Sequence, residues 1–348
     1  MSNASNLQNL LQVLSFVVPC LVVTLKYTTF CIKAQDIKQL TELTKYHWEL
    51  IQCKEELKIL KRYYTIGKWM TFVVVGLIFS VCLFLFVQLL PKLLDAVIPL
   101  NESRPLKLLG LATLLFDQDE HFVLIFVHMA VALSVEATTI AATETMGLVY
   151  LQHMNGLFRI TSLRLKHAFD CKMQISISKK HQIYYTNIIN AIIIHNRALE
   201  FFYCFNSCFE TSYFLLLVFG TSSLSINLFR LVQAGFKKEF EEQFVVGVLV
   251  AIHFIYIFLN NLLAQVATNH SADIFYKTCE LPWYSVPIPL QKLLQFIIQR
   301  SVKSCKFTLH TVFVASLEFF ATVSIILQFY YVRYNGIISE FKYKNIFH

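Results

Sequence analysis

Long apolar segments alternate along the chain with segments rich in Lys and Glu. Two of the apolar segments, residues 69–90 and 244–267, contain no charged residue at all. About 20 consecutive apolar residues are enough for an α-helix to cross the hydrocarbon core of a bilayer. The pattern therefore predicts an all-α, polytopic membrane helical bundle with six spans. The predicted spans are residues 10–32, 69–90, 121–151, 196–229, 244–267 and 307–332.

The segments between the predicted spans are patterned as well. In residues 34–64 and 285–300, apolar residues recur at helical spacing among charged ones. An amphipathic helix buries one face against a neighbour, so we expect the spans to continue past the membrane surface as a packed bundle. Lys26 is the only charged residue of the first span, and it lies close enough to the end for its amine to reach the membrane surface.

The distribution of basic residues predicts the orientation. Twenty of the 30 Lys and Arg residues fall in the loops after the first, third and fifth spans, and nine fall on the other side. Basic loops are retained in the cytoplasm, so both termini are expected outside. The sequon at Asn101 then lies outside and is a candidate glycosylation site, whereas the sequon at Asn269 lies inside.

Composition narrows the class of protein further. Hydrophobic residues make up 56% of the chain and charged residues 15%, well below the roughly 25% of a soluble domain. The formal charge of +8 forms no basic stripe, so we expect no nucleic-acid partner. The nine Cys residues show no metal-ligand spacing, and no nucleophile elbow, zinc-protease motif or phosphate loop is present. We predict neither a metal, nor another cofactor, nor an enzyme.

An ordered series of motifs in the last third resembles a known family. The motifs are Tyr276-Lys-Thr-Cys-Glu-Leu-Pro-Trp-Tyr284, Pro289-Leu-Gln-Lys-Leu-Leu294, Gln299-Arg-Ser301 and Ser316-Leu-Glu-Phe-Phe-Ala321. Upstream, Tyr63-Tyr-Thr-Ile66 precedes a span, and Pro91 and Pro99 follow it. Together these motifs resemble the insect odorant receptor family, a group of seven-helix membrane proteins, and its hymenopteran members most.

The resemblance implies a ligand-gated, non-selective cation channel in the plasma membrane of olfactory sensory dendrites. It implies a tetramer with an odorant co-receptor, a volatile odorant bound in the outer half, and contacts with membrane lipids. Residues 1–284 would form the membrane bundle with the pocket, and residues 285–348 an anchor helix and the pore-lining last helix. The first span here matches the family's second, so we expect that the chain lacks the family's first helix.

The resemblance also suggests where subunits meet and where the pore lies. An apolar face of the anchor helix would join the subunits, although an amphipathic helix lying on the bilayer has the same pattern. Its candidates are Leu290, Leu294, Ile297, Ile298 and Arg300. The outer end of the last helix would carry the gate. Its candidates are Gln328, Val332, Tyr334 and Asn335, with Glu318 further along the same span as either a pore residue or a packing carboxylate.

A pocket for volatile ligands should be apolar with a few polar groups. The candidates are aromatic and polar residues in the outer halves of three spans: Phe84, Phe86, Gln88, Phe126, His128, Met129, His253, Phe254 and Tyr256. Glu136 and Glu144 in the third span are expected to join neighbouring threonines in a polar cluster between helices.

Two alternative functions stay open at this point. A secondary transporter would need charges near the middle of the bilayer, and four carboxylates could serve: Glu136, Glu144, Glu210 and Glu318. A gustatory-type receptor channel would share the pore helix, but the tyrosine-leucine motif that typically ends such receptors is absent.

Overall fold

Eight α-helices make up most of the part of the chain that the computed structural model describes, which is residues 2–87, 122–169, 177–237, 240–309 and 313–346. The helices are α1 (Ser2–Ile32), α2 (Ala34–Leu50), α3 (Lys54–Val87), α4 (Phe122–Phe169), α5 (Ile177–Lys237), α6 (Phe240–Glu280), α7 (Ile288–Val302) and α8 (Leu317–Ile346). A short 3-10 helix (Trp283–Ser285) precedes α7, and two short strands, β1 (Thr308–Leu309) and β2 (Phe313–Val314), precede α8.

The all-α membrane class predicted from the sequence is confirmed. Four segments among the described residues are long and apolar enough to cross a membrane, namely Leu10–Ile32, Lys54–Ser80, Lys180–Phe236 and Glu242–Glu280. Leu317–Phe329 is a shorter apolar helix. The number of spans and the position of the termini stay predictions.

The longest helices extend far beyond the thickness of a bilayer. Helix α5 has 61 residues, which at 1.5 Å per residue gives a length of roughly 90 Å, about three times the hydrocarbon core. The amphipathic segments are helical as predicted. Residues 34–64 form α2 and the start of α3, and residues 285–300 include the last residue of the 3-10 helix and most of α7.

The start of the predicted last span was wrong. Instead of a helix from residue 307, strands β1 and β2 pair antiparallel, with Thr308 opposite Val314 and Leu309 opposite Phe313. Aromatic and β-branched residues favour a strand here. Helix α8 begins only after Ser316, whose hydroxyl accepts a hydrogen bond from the Phe319 amide at 3.1 Å, as an N-cap does.

One end of the bundle is densely packed, and we call it the dense end. It comprises residues 34–64, 148–169, 177–209 and 264–302. Its centre contains fully buried residues from five helices: Leu40, Leu60, Leu157, Phe158, Ile188, Phe201 and Ile274. Most of these residues come from the segments between the predicted spans, whereas Phe201 lies in the predicted fourth span.

The other end is sparsely packed, and we call it the open end. It comprises residues 69–87, 122–143, 216–237, 240–260 and 317–346. Among the residues that the structure describes, its buried cluster has five members: Leu224, Val246, Val250, Ile257 and Leu327. Large apolar side chains face outward along its helices, among them Phe72, Phe79, Leu124, Val131 and Phe329. An apolar exterior of this kind suits contact with lipid.

Candidate ligand-binding site

A cavity of about 130 Å³ lies where the dense end meets the open end. Its walls come from α4, α5 and α6, and the strand pair and the first turn of α8 close one side. A buried water needs about 10–15 Å³ on the same scale, so the cavity has room for a molecule of roughly ten non-hydrogen atoms.

Most of the wall is apolar. Aliphatic and aromatic side chains from all contributing elements line it: Leu148, Leu151, Phe205, Phe209, Leu216, Leu217, Ile257, Leu263, Phe307 and Phe319. Phe205 stands at the centre of the aromatic part, with ring centroids 5.0 Å from Phe209 and 5.9 Å from Phe307. Such a wall offers an apolar ligand burial and dispersion contacts.

The polar part of the wall is organised around Glu144. Lys26 of α1 forms an ion pair with its Oε1 atom, and the side chains of Lys26 and Glu144 are only 7% and 12% exposed. The Tyr256 hydroxyl of α6 donates a hydrogen bond of 2.7 Å to the same oxygen. Three helices are therefore tied together at the edge of the cavity, and the paired charges satisfy one another away from water.

This arrangement corrects two predictions. Lys26 does not reach the membrane surface, because it turns inward to Glu144. The threonines beside Glu144 do not form a shared polar cluster with it. Thr139 and Thr143 donate to the backbone carbonyls of Val135 and Thr139, four residues earlier in the same helix. A partner 118 positions away along the chain cannot be seen in a local pattern.

Two amides of α6 complete the polar wall. Asn260 and Asn261 donate to the backbone carbonyls of Tyr256 and Ile257, each at 2.9 Å. The Asn261 side-chain oxygen also accepts from the Ser316 amide at 3.0 Å. Asn261 therefore links the cavity wall directly to the start of α8. This residue was not among those predicted from the sequence, and an Asn-Asn pair inside an apolar segment is the signal that could have found it.

Of the predicted ligand contacts, Tyr256 lines the cavity. His253 instead joins α6 to α5, with its Nε2 atom 2.9 Å from the Ser223 hydroxyl, and Phe254 packs on the small cluster of the open end. His128 is exposed. The remaining candidates lie outside the described residues or have side chains outside the description: Phe84, Phe86, Gln88, Phe126 and Met129. The cavity lies nearer the dense end than the outer halves chosen from sequence.

The predicted pore residues occupy one helix with an exposed stripe. Gln328 and Val332 are exposed on α8, and they share a face with Ile325 and Phe329. Glu318 is exposed in the first turn, where the helix dipole favours a carboxylate, and not within the helix as predicted. Tyr334 and Asn335 belong to α8, but their side chains are outside the description.

The predicted subunit-anchor face is used within the chain. Leu290, Leu294 and Ile297 are buried in the core of the dense end, whereas Ile298 and Arg300 are partly exposed. This burial corrects the choice of face, because a periodic pattern shows that a helix has an apolar side but not what covers it. The apolar residues that α7 leaves exposed are Ile288, Phe296 and Val302. The glycosylation candidate Asn101 lies outside the described residues.

The dense end also contains a buried histidine pair. The Nδ1 atom of His47 lies 3.1 Å from the Nε2 atom of His153, and the two rings stack with centroids 5.3 Å apart. Burial lowers the pKa of His47 to about 4 and that of His153 to about 3. Both rings are therefore neutral at pH 7. In the described part of the chain, no group of three or more His, Cys, Asp and Glu side chains could hold a metal ion.

Membrane-length helices around a partly open apolar cavity are an arrangement typical of helical membrane receptors. The chain matches the family model described as 7tm Odorant receptor over residues 6–327. It belongs to the insect odorant receptor family, whose members are receptors and not enzymes.

Solved structures show the same fold. The insect olfactory receptor OR5 from Machilis hrabei in complex with eugenol is similar with a TM-score of 0.68 at 13% sequence identity, covering 93% of this chain and 80% of that one. A second structure, described as that receptor without mention of a ligand, gives 0.64 at 15% identity, with coverage of 92% and 79%. No curated protein sequence matches the chain.

Proposed function

We propose that this protein is the odorant-binding subunit of a ligand-gated, non-selective cation channel that it forms with an odorant co-receptor in the plasma membrane. The observation that carries the proposal is the cavity of about 130 Å³ between α4, α5 and α6 in a member of the odorant receptor family. The similar OR5 structure was solved in complex with eugenol, a small aromatic molecule. A volatile of similar size is the ligand class that this cavity fits.

Binding in such a cavity would draw mainly on burial. Removing apolar surface from water contributes about 25 cal/mol per Å², and a preformed pocket lowers the cost of ordering side chains. Selectivity would come from the shape set by the phenylalanines and from the few polar groups around Glu144. These features favour a small, mostly apolar molecule over a polar metabolite.

The contacts of the cavity with the last helix suggest how a ligand would open the pore. Leu309, Ala315 and Phe319 line the cavity, and they belong to or flank the strand pair and first turn that lead into α8. A ligand that binds better when these residues take the open arrangement shifts the channel toward that state. The exposed stripe with Ile325, Gln328 and Val332 would then line the pore or meet neighbouring subunits.

Helix α7 is the proposed site of contact with the other subunits of a tetramer. Its inner face is committed to the core of the dense end, so the contact would use the exposed face with Ile288, Phe296 and Val302. Polar Lys292, Gln295 and Gln299 are also exposed on this helix. Exposed apolar residues with polar neighbours form a typical protein interface.

The test is co-expression of the full chain with an odorant co-receptor in a cell without endogenous receptors. Whole-cell current is recorded while a broad panel of volatiles, including eugenol, is applied. We expect an inward cation current that cells with the co-receptor alone do not show. If the chain reaches the cell surface with its partner and no volatile produces current, the channel-subunit proposal is wrong.

A further inference from the structure

The polar wall of the cavity leaves specific hydrogen-bonding atoms open to a ligand. Both protein donors to Glu144, the Lys26 amine and the Tyr256 hydroxyl, bind its Oε1 atom. Within the described part of the chain, no hydrogen bond reaches its Oε2 atom. Since a carboxylate oxygen accepts more than one hydrogen bond, Glu144 retains capacity to accept a proton donor from a molecule in the cavity.

A second open group lies beside this carboxylate. The hydroxyl of Tyr213 is 3.4 Å from the position that a Cβ atom on Gly147 would occupy, and Gly147 follows Glu144 by three residues on the same face of α4. Both Tyr213 and Glu144 line the cavity. Among the described residues, no hydrogen-bond partner is found for the Tyr213 hydroxyl, which can both donate and accept.

The other donors of the wall are partly engaged, because each amide uses one of its two N–H groups. Tyr256 donates to Glu144, while Asn260 and Asn261 each donate to a carbonyl of α6. The Asn206 amide points to Glu210 at 3.5 Å. The combination that Glu144 and Tyr213 offer a ligand is one charged acceptor and one hydroxyl that can donate, and each amide of the wall retains one N–H group.

We propose that this wall recognises a hydroxyl group, so that the favoured ligands are neutral alcohols or phenols with an apolar body. The ligand hydroxyl would donate to Oε2 of Glu144 and accept from the hydroxyl of Tyr213, and the apolar body would lie against the phenylalanines. This inference rests on the proposed function and adds the chemical class of the odorant.

The same inventory argues against other ligand classes. An ether, ketone or ester can accept from Tyr213 but leaves Oε2 of Glu144 without a donor, and a hydrocarbon leaves both this oxygen and the Tyr213 hydroxyl without a partner. Such losses are large when the polar groups are buried. Lys26 already neutralises Glu144, so an ammonium ligand would add an excess charge beside this pair, and a carboxylate ligand would meet a like charge.

The test compares ligands that share a carbon skeleton, using the full chain with its co-receptor. Three sets are recorded: 2-phenylethanol, hexan-1-ol and eugenol, each with its methyl ether, and for the first two also the parent hydrocarbon and the primary amine. For every skeleton that evokes current, we expect the hydroxyl compound to act at a concentration about tenfold or more below its ether, because a hydrogen bond to a charged group is lost.

Equal or greater potency of an ether, hydrocarbon or amine would overturn the inference and leave the proposed function standing. The inference would also be overturned, with the proposed function still standing, if other volatiles open the channel and none of the three hydroxyl compounds does. If no volatile opens the channel, the proposed function fails and the inference fails with it.

Two variants test whether the preference for the hydroxyl compound arises from Tyr213 and Glu144. Tyr213→Phe removes only a hydroxyl that has no partner among the described residues, so we expect about three- to tenfold weaker responses to the alcohol and equal or stronger responses to the hydrocarbon, which no longer leaves that hydroxyl unpaired. Tyr185→Phe, an exposed tyrosine of the same helix, is the matched control and should change neither. The paired variant Lys26→Met/Glu144→Gln keeps the wall neutral and should bring the alcohol-to-ether ratio close to one. Unaltered ratios in both variants, with surface protein confirmed by biotinylation, would refute the assignment.

Discussion

The dense end and the open end of the bundle are stabilised by different interactions. At the dense end, six helices bury a continuous core, and Arg164 clamps Glu56 of α3 through two hydrogen bonds of 2.7 and 2.8 Å. At the open end, few side chains are buried, and isolated polar contacts join helices whose apolar faces point outward. Arg230 of α5, for example, binds both Ser15 of α1 and Glu242 of α6.

This difference follows from the two solvents. At the dense end, the hydrophobic effect brings the apolar faces of the amphipathic helices together. Lipid provides no such driving force, so the helices of the open end are joined by close packing and polar contacts. A rigid end and a loosely packed end in one chain leave a cavity at their boundary. We infer that the dense end is the frame and that ligand-dependent change is concentrated in the open end.

The largest expected effect comes from breaking the buried ion pair at this boundary. Lys26→Met leaves Glu144 charged and unpaired, and removal of one partner of a buried pair costs about 3–5 kcal/mol. Lys38→Met is the control, because Lys38 and its partner Glu42 are 71% and 65% exposed and such a pair contributes about 1 kcal/mol or less. Thermal unfolding in detergent, followed by fluorescence-detected chromatography, measures both. Similar losses from the two variants would show that the Lys26 pair is not buried.

The second-largest effect is expected from a substitution that overpacks the core of the dense end. A Cβ atom on Gly156 would lie 2.9 Å from Cδ1 of Leu60, and Leu60 is almost fully buried. Gly156→Val is therefore expected to destabilise the protein by about 1–3 kcal/mol through overpacking. Gly76 of α3 has nothing within 4 Å of the same position, so Gly76→Val should leave the melting temperature nearly unchanged. A tolerated Gly156→Val would contradict the rigid frame.

A substitution that fills the cavity tests whether the odorant binds at the boundary between the two ends. Gly220 lines the cavity and, like Gly76, has open space around its Cβ position. Gly220→Leu should raise the odorant concentration for half-maximal current by about tenfold, equivalent to 1.4 kcal/mol of binding free energy, with little loss of stability. Gly76→Leu gains the same helix propensity without touching the cavity and should respond as the unmodified channel does. Equal responses from both variants would place the ligand elsewhere.

The smallest effect per residue is a pH dependence of the dense end. His47 and His153 have pKa values of about 4 and 3 when folded and about 6.5 when unfolded. The unfolded state therefore binds more protons as pH falls below 6.5, so their contribution to stability is complete above that pH and is lost toward pH 4. Between pH 7.5 and 6 we expect a loss of about 1 kcal/mol per histidine. His153→Gln should flatten the dependence of melting temperature on pH, and an unchanged slope would show that the pair is not buried.

Local patterns predicted the helices well because each span and each amphipathic segment has its own periodicity. The dense-end helices α2 and α7 were found this way, and the family motifs in residues 276–321 identified the receptor class. Local patterns could not predict which side chains from different helices contact one another. Lys26 and Glu144 meet from different helices, and the apolar side of α7 proved to face its own chain.

The candidate site was predicted least well, for the same reason. Tyr256 was found because it is an aromatic residue in a span, but Phe205, Phe209 and Tyr213 line the cavity only because of how α5 crosses its neighbours. The strand pair before α8 was missed because it has only two residues on each side, too few for a periodic pattern.

The central claim is that the odorant binds at the boundary between the two ends. The most direct measurement is a cryo-electron microscopy map of the chain assembled with its co-receptor in lipid, determined with and without a saturating agonist. We predict ligand density enclosed by α4, α5 and α6, in contact with Phe209 and Tyr256 and beside Glu144. Density in the outer half of the open end near His128 and Phe254, with this cavity empty, would contradict the account.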